Sequence, residues 1–299
     1  MAGAHDSGEG RKDRIGLGIF CAIAGIACMS LLDSTVKFLT HGYGVWQLVF
    51  CRNLFGFFFI ALILWWTGGF RGLASRQYLL QGLRCLFSLG ASFTFFIGLR
   101  HLPLAEAFAI TFAGPLFITA LSVPVLQEKV GVRRWSAVLV GLVGVAMILR
   151  PGAAVFQPEA LWPLAAALCY AFVMLITRKL ARRDGTMTIL FWTAVGSLLI
   201  TAGSLPFDWT PPTAVDWLLF VFLGLAGTCT MFLMAQAYRH APAAVVAPFD
   251  YTILIWGVIL GWLFWQELPD PDILPGVAVL VASGLYIIYR ETRPPDLRS

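Results

Sequence analysis

Ten apolar stretches of 15 to 25 residues take up most of this sequence. They run 15–39, 46–66, 78–99, 104–126, 135–149, 160–180, 186–205, 215–238, 243–265 and 272–289, and Gly, Pro and charge clusters bound them. Each approaches the about 20 apolar residues that carry an α-helix across a bilayer. None alternates apolar and polar residues as a membrane strand would. The expectation is an all-α integral membrane protein with ten transmembrane helices. The residues between stretches suffice for nine short connections and two tails, and leave no room for a soluble catalytic domain. The first stretch is too long for a signal-peptide core and lacks a convincing cleavage site, so it reads as a retained helix.

Composition agrees, with 59% hydrophobic and 12% charged residues, about half the charge of a soluble domain. Disorder is excluded, because so apolar a chain has far too much to bury. The formal charge of +5 forms no stripe or motif, so nucleic acid is not expected as a partner. The basic residues instead orient the chain. With the N-terminus in the cytoplasm, sixteen of the 21 Lys and Arg fall inside, and only Lys37, Arg100 and Arg150 outside, with Arg52 and Arg84 within spans. Most tryptophans, among them Trp46, Trp65, Trp66, Trp135, Trp162, Trp217 and Trp265, sit at span ends, where an indole is half buried and half wet. Both termini are expected in the cytoplasm, as tails 1–14 and 291–299.

The two halves resemble each other. Arg100-His101-Leu102-Pro103-Leu104-Ala105 is followed by Gln127-Glu128, and Arg239-His240-Ala241-Pro242-Ala243-Ala244 by Gln266-Glu267, every match being offset by 139. At 140, Gly144 and Arg150 match Gly284 and Arg290; at 142, Thr35 and Lys37 match Thr177 and Lys179. Residues 15–150 and 160–290 thus read as two five-helix repeats. An odd number of spans inserts the second copy upside down, the arrangement that gives secondary transporters two gates around one midplane site.

The segments GLRHLPLAEAFAITFAGPLF and AYRHAPAAVVAPFDY, together with the length and the repeats, resemble the drug/metabolite transporter superfamily, EamA type, over about residues 15–290. That resemblance implies a central cavity lined largely by the third, fourth, eighth and ninth helices, with help from the first and sixth. The family includes the YddG-type exporters of aromatic amino acids, to which this chain is similar in layout. Its motifs specify the superfamily well and the substrate poorly.

Charged groups in a span are costly and face a cavity or a partner. Asp33 and Lys37 share a helix face four residues apart, and serve either as an internal ion pair or in proton coupling. Arg52 is near enough to a helix end to snorkel, and Glu106 stands where it could cap the fourth span. Arg84, Ser88 and Ser92 form a polar stripe at i, i+4 and i+8, which faces the bundle interior either for helix packing or to meet a substrate carboxylate. Asp250 suits a substrate ammonium or a proton, with a buried donor as its alternative partner. Phe112, Tyr170 and Tyr251 supply aromatic surface at membrane depth, for packing or for an aromatic solute. Pro115 and Pro248 are expected to kink the fourth and ninth helices at gate positions.

The reading is therefore a secondary transporter of a small organic metabolite in a bacterial inner membrane, most simply an exporter of an amino acid, in particular an aromatic one. Uptake or exchange of another metabolite or a drug-like cation is the alternative. A membrane-embedded enzyme would need a cluster such as HExxH, and His41, His101 and His240 sit alone at span ends. A channel would need a filter or charged ring. No cofactor or metal is expected, and the six cysteines, scattered through the spans without a CxxC pair, read as packing residues. A monomer is expected, with Gly257 and Gly261 (GxxxG) offering a dimer face.

Overall fold

The computed structural model describes residues 6–67, 73–127, 130–150, 157–203 and 209–292. All regular structure among them is helical: α1 (Asp6–Leu39), α2 (Val45–Thr67), α3 (Tyr78–His101), α4 (Leu104–Thr111), α5 (Gly114–Leu126), α6 (Val132–Leu149), α7 (Leu161–Leu180), α8 (Thr186–Ala202), α9 (Ala214–His240), α10 (Ala243–Val246), α11 (Thr252–Trp265) and α12 (Leu274–Thr292). Short 3-10 turns at Pro158–Ala160, Ala247–Tyr251 and Pro271–Ile273 lead into α7, α11 and α12. Eight helical stretches are long and apolar enough to cross a membrane, and Thr186–Ala202 and Pro271–Ile287 are shorter apolar helices. Together these ten apolar helical stretches coincide with the ten apolar stretches of the sequence. Their outward faces carry Phe20, Phe58, Trp65, Trp66, Leu199 and Leu218, which are exposed in the isolated chain and have lipid as their natural neighbour. Phe96, Phe108 and Phe220 are fully buried and anchor the core.

The RHxP motifs have a direct local cause. A residue before proline is pushed out of the helical region, so α3 ends on His101 with Leu102 extended (φ −110°, ψ 152°), and α9 ends on His240 with Ala241 extended (φ −134°, ψ 147°). The two extended amides donate to Gly98 O and Ala237 O, again 139 residues apart. The far ends of the following spans match as well. Gln127 and Gln266 take the left-handed conformation (φ 56° and 57°) that stops α5 and α11, and their amides reach Ser122 O and Gly261 O. Glu128, part of the same sequence motif, lies outside the described residues.

The fourth span, expected as one helix, is broken. Pro115 has no N–H, and its ring crowds the Thr111 carbonyl, so α4 stops at Thr111 and α5 starts at Gly114. In between, the Phe112 and Ala113 amides make tighter i−3 bonds to Ala109 O and Ile110 O, of 3.2 and 3.0 Å. In the ninth span Pro248 sits in the 3-10 turn between α10 and α11.

The helices pack in a regular pattern: α1 along α9, α3 along α7, α6 against α12, α4 against α11, and α2 beside α8 and α9. At the α6–α12 crossing the backbones touch. A Cβ on Gly144 would lie 2.9 Å from Leu280 N, and one on Gly276 would lie 2.9 Å from Gly144 O. The GxxxG of α11 is not free for a second copy: a Cβ on Gly257 would strike the Phe108 ring, and Gly261 faces Leu104, both on α4.

Candidate functional site

The two broken spans meet ring to ring. Phe112, at the α4–α5 break, stacks on Tyr251, at the end of the 3-10 turn, with centroids 4.5 Å apart and planes 21° from parallel. Tyr251 extends its hydroxyl against Gly284 of α12, where a larger residue would exclude it. The Tyr170 ring of α7 lies over Gly114, 3.6 Å from where a Cβ would be. Asp250 precedes Tyr251 and is half buried, and its carboxylate has no hydrogen bond or ion pair among the described residues. Its carboxylate is within electrostatic range of the Tyr170, Tyr238 and Tyr251 hydroxyls, and Tyr170 is also within range of Arg84.

Arg84 is held by threonines. Its Nε donates to Thr177 Oγ1 of α7 at 2.7 Å and a terminal nitrogen donates to Thr193 Oγ1 of α8. Each threonine gives its own proton to the carbonyl four residues back, leaving lone pairs for the guanidinium. Arg52 does not snorkel. It turns inward, donates to Ser92 Oγ at 3.3 Å, and lies over the Phe96 ring at 5.6 Å. Arg52, Asn53, Arg84, Ser88, Thr193 and Ser197 line a cavity of about 210 Å³ between α2, α3, α8 and α9. Those are the second, third, seventh and eighth spans, whereas the family resemblance implied the third, fourth, eighth and ninth. Sequence reading missed Thr193 and Ser197, whose spacing with Thr201 at i, i+4 and i+8 repeats the pattern of Arg84, Ser88 and Ser92.

The expected Asp33–Lys37 pair does not form. Lys37 is 3% exposed, pairs with Glu267 after α11, donates to Leu102 O at 3.0 Å, and lies 5.1 Å from the Trp265 ring centroid. Asp33 is buried with Oδ2 unpartnered. Glu106 does not cap its helix but accepts from the Asp270 amide at 3.2 Å, and Arg150 reaches Asp270 and Asp272 at 3.3 and 3.4 Å. At the same end of the bundle Tyr43 donates to Asp216 at 2.6 Å, and Gln47 exchanges two hydrogen bonds with the Thr210 backbone. Desolvation, and then the Asp216 hydrogen bond, raise the Tyr43 phenol above its ordinary pKa. At the opposite end Ser75 and Gln81 donate to Asp184 at 2.5 and 2.9 Å.

A sequence model of the EamA-like transporter family matches twice, over residues 16–150 and 157–290. The chain belongs to the EamA-like transporter family. An S-adenosylmethionine uptake transporter of Rickettsia bellii is 28% identical over 281 residues, covering 93% of this chain and 95% of that protein. A riboflavin transporter of Vibrio cholerae is 34% identical over 64% of each chain, and a pseudopaline exporter of Pseudomonas aeruginosa is 26% identical over 90% of this chain and 95% of its own. A solved crystal structure at 20% identity shares the fold, with a TM-score of 0.59 over 94% of this chain and 99% of the other. The family places the chain among metabolite transporters of the drug/metabolite superfamily, and not among enzymes.

Proposed function

We propose that the chain is a secondary carrier that moves an α-amino-acid metabolite bearing a ring system, by alternating access between two inverted five-helix repeats, 15–150 and 160–290. Recurrence of the same helix ends and backbone conformations at an offset of 139 supports the repeat. So does the packing, in which α1 on α9 has its counterpart in α7 on α3, and α2–α8, α4–α11 and α6–α12 join equivalent spans. The odd span number then inverts one copy. The distribution of Lys and Arg supports cytoplasmic termini, and the bacterial relatives support a bacterial inner membrane as the location.

The observation that carries the substrate reading is the Phe112–Tyr251 stack, next in sequence to Asp250, beside Tyr170 of α7, the helix whose Thr177 also holds Arg84. Among the described residues Arg84 has no carboxylate partner and Asp250 no cation, and with the aromatic rings beside Asp250 they suit a zwitterion. In this reading Arg84 meets the carboxylate, with Ser88 and Ser92 on the same helix face, and Asp250 meets the ammonium. Phe112 and Tyr251 receive the ring. S-adenosylmethionine has this chemistry and is favoured by the Rickettsia relative, an uptake transporter that this chain matches over nearly its whole length. Export of an aromatic amino acid, which has the same head group and a smaller ring, is the second reading, and rests on the similarity to aromatic amino acid exporters. Pro115 and Pro248 hold the breaks that act as gates.

Counterflow in proteoliposomes tests it. Unlabelled solute is loaded inside, and labelled S-adenosylmethionine or phenylalanine is added outside. Saturable exchange that falls about tenfold or more in Asp250→Asn and Arg84→Gln is expected. Absence of exchange with both solutes rejects the substrate class.

A further inference from the structure

We propose that the cavity between α2, α3, α8 and α9 is an oxyanion site with two stations, at Arg52 and at Arg84, each of which holds a carboxylate or phosphate group. This deepens the carrier reading and rests on its placing of Arg84 toward the solute. Two guanidiniums line this cavity, and among the described residues no Asp or Glu does. Their hydrogen-bond partners are neutral hydroxyls: Ser92 for Arg52, and Thr177 and Thr193 for Arg84. Asp33, on α1, is within electrostatic range of Arg52 but forms no ion pair with it and is not part of the cavity wall.

Ionisable groups at membrane depth mark ion or substrate paths, and among the described residues Arg84 has no acidic partner, while Arg52 has only Asp33 nearby, with no direct ion pair. Arg is also the side chain best shaped to hold an oxyanion with parallel N–H donors. The two groups stand at different levels. Arg52 reaches Ser92, which is eight residues along α3 from Arg84, or about 12 Å of helix, with Ser88 between them. The cavity therefore holds an acid group near either guanidinium, with Ser88, Thr193 and Ser197 to complete its hydrogen bonds. Gly56 of α2, where an added Cβ would meet nothing within 4 Å, leaves space open on that wall, and Gly224 brings the α9 backbone against Phe55 and Gly56. The oxyanion comes from one of two sources, the acid end of the transported solute or a free anion exchanged against it.

The test begins with purified protein in detergent. Thermal unfolding is followed by tryptophan fluorescence in succinate, inorganic phosphate or chloride at matched ionic strength. A saturable rise of the midpoint with succinate or phosphate over chloride is expected. The apparent affinity should weaken about tenfold or more in Arg52→Gln and in Arg84→Gln. Arg52→Lys, which keeps the charge, should retain part of it. Arg100→Gln, which removes an exposed cation outside the cavity, should respond as wild type does. Equal midpoints in all three salts, or an undiminished response in Arg52→Gln, overturn the site; the first of these results needs no variant to fold.

Counterflow then separates the sources. Succinate or phosphate that speeds exchange from the opposite side identifies a counter-anion, and one that competes from the same side identifies the solute's own acid end. Where either amino-acid solute does exchange, an anion that does neither overturns the proposal. Oxyanion binding without counterflow of either amino-acid solute would reject the substrate class and leave this site standing; counterflow without oxyanion binding would do the reverse.

Discussion

The Phe112 ring lies against that of Tyr251 at 4.5 Å, and the two residues are 139 positions apart, the same offset that relates the RHxP motifs and the paired glutamines. In the proposed inverted repeat these are equivalent positions that touch at the helix breaks, so the pseudo-symmetry axis would pass between the rings and the pair would stand beside a midplane substrate.

Tyr251→Phe keeps the stack, and should leave counterflow within about twofold of wild type. Phe112→Ala and Tyr251→Ala should each lose about 0.5–1.5 kcal/mol beyond the loss of buried area. The double variant should lose less than the sum, since the stack is removed once. Thermal unfolding of the four proteins in detergent measures this coupling, and an additive result would show that the stack contributes nothing of its own.

Glu267→Gln leaves the Lys37 ammonium buried without a counter-charge, and is expected to destabilise the protein by about 3 kcal/mol. Lys37→Met should cost less, because the more exposed Glu267 can turn to water. A swap, Lys37→Glu with Glu267→Lys, should recover part of the loss. The check is the midpoint of thermal unfolding for all four chains at one pH and salt.

Arg84→Lys is not a conservative change. The guanidinium spans Thr177 on α7 and Thr193 on α8 with two donors in a fixed fork, and one ammonium cannot reproduce that geometry. Counterflow in Arg84→Lys should stay about tenfold below wild type; near-normal exchange would reduce Arg84 to a point charge.

Orientation is open to a direct test. A cysteine introduced as Gly42→Cys, in the turn after α1, should react with a membrane-impermeant thiol reagent in intact cells. Arg182→Cys, in the turn after α7, should react only after the cells are broken. The reverse pattern would turn the protein over in the membrane.

Much of this architecture can be read along the chain, because its causes are local. Span length sets the helix count, and proline after Leu102 and Ala241 fixes the ends of α3 and α9. The ionic contacts were not legible for the opposite reason. Helical spacing offered Asp33 as the neighbour of Lys37, yet tertiary packing brings up Glu267 from 230 residues away. The inward turn of Arg52 likewise depends on Ser92 and Phe96, both on another helix. The break after Thr111 sits in an otherwise uninterrupted apolar run, where a proline inside the bundle can be read as a kink as easily as a stop.

The α6–α12 crossing bears on how such a bundle moves. Helices separated by side chains can slide as those side chains change rotamer. At Gly144 and Gly276 there are none in between, so the two backbones bear on each other directly. That crossing joins the α6 and α12 backbones closely enough to resist sliding. In the carrier proposed above it would serve as a fulcrum, and halves rocking about it would tie the opening of one face to the closing of the other.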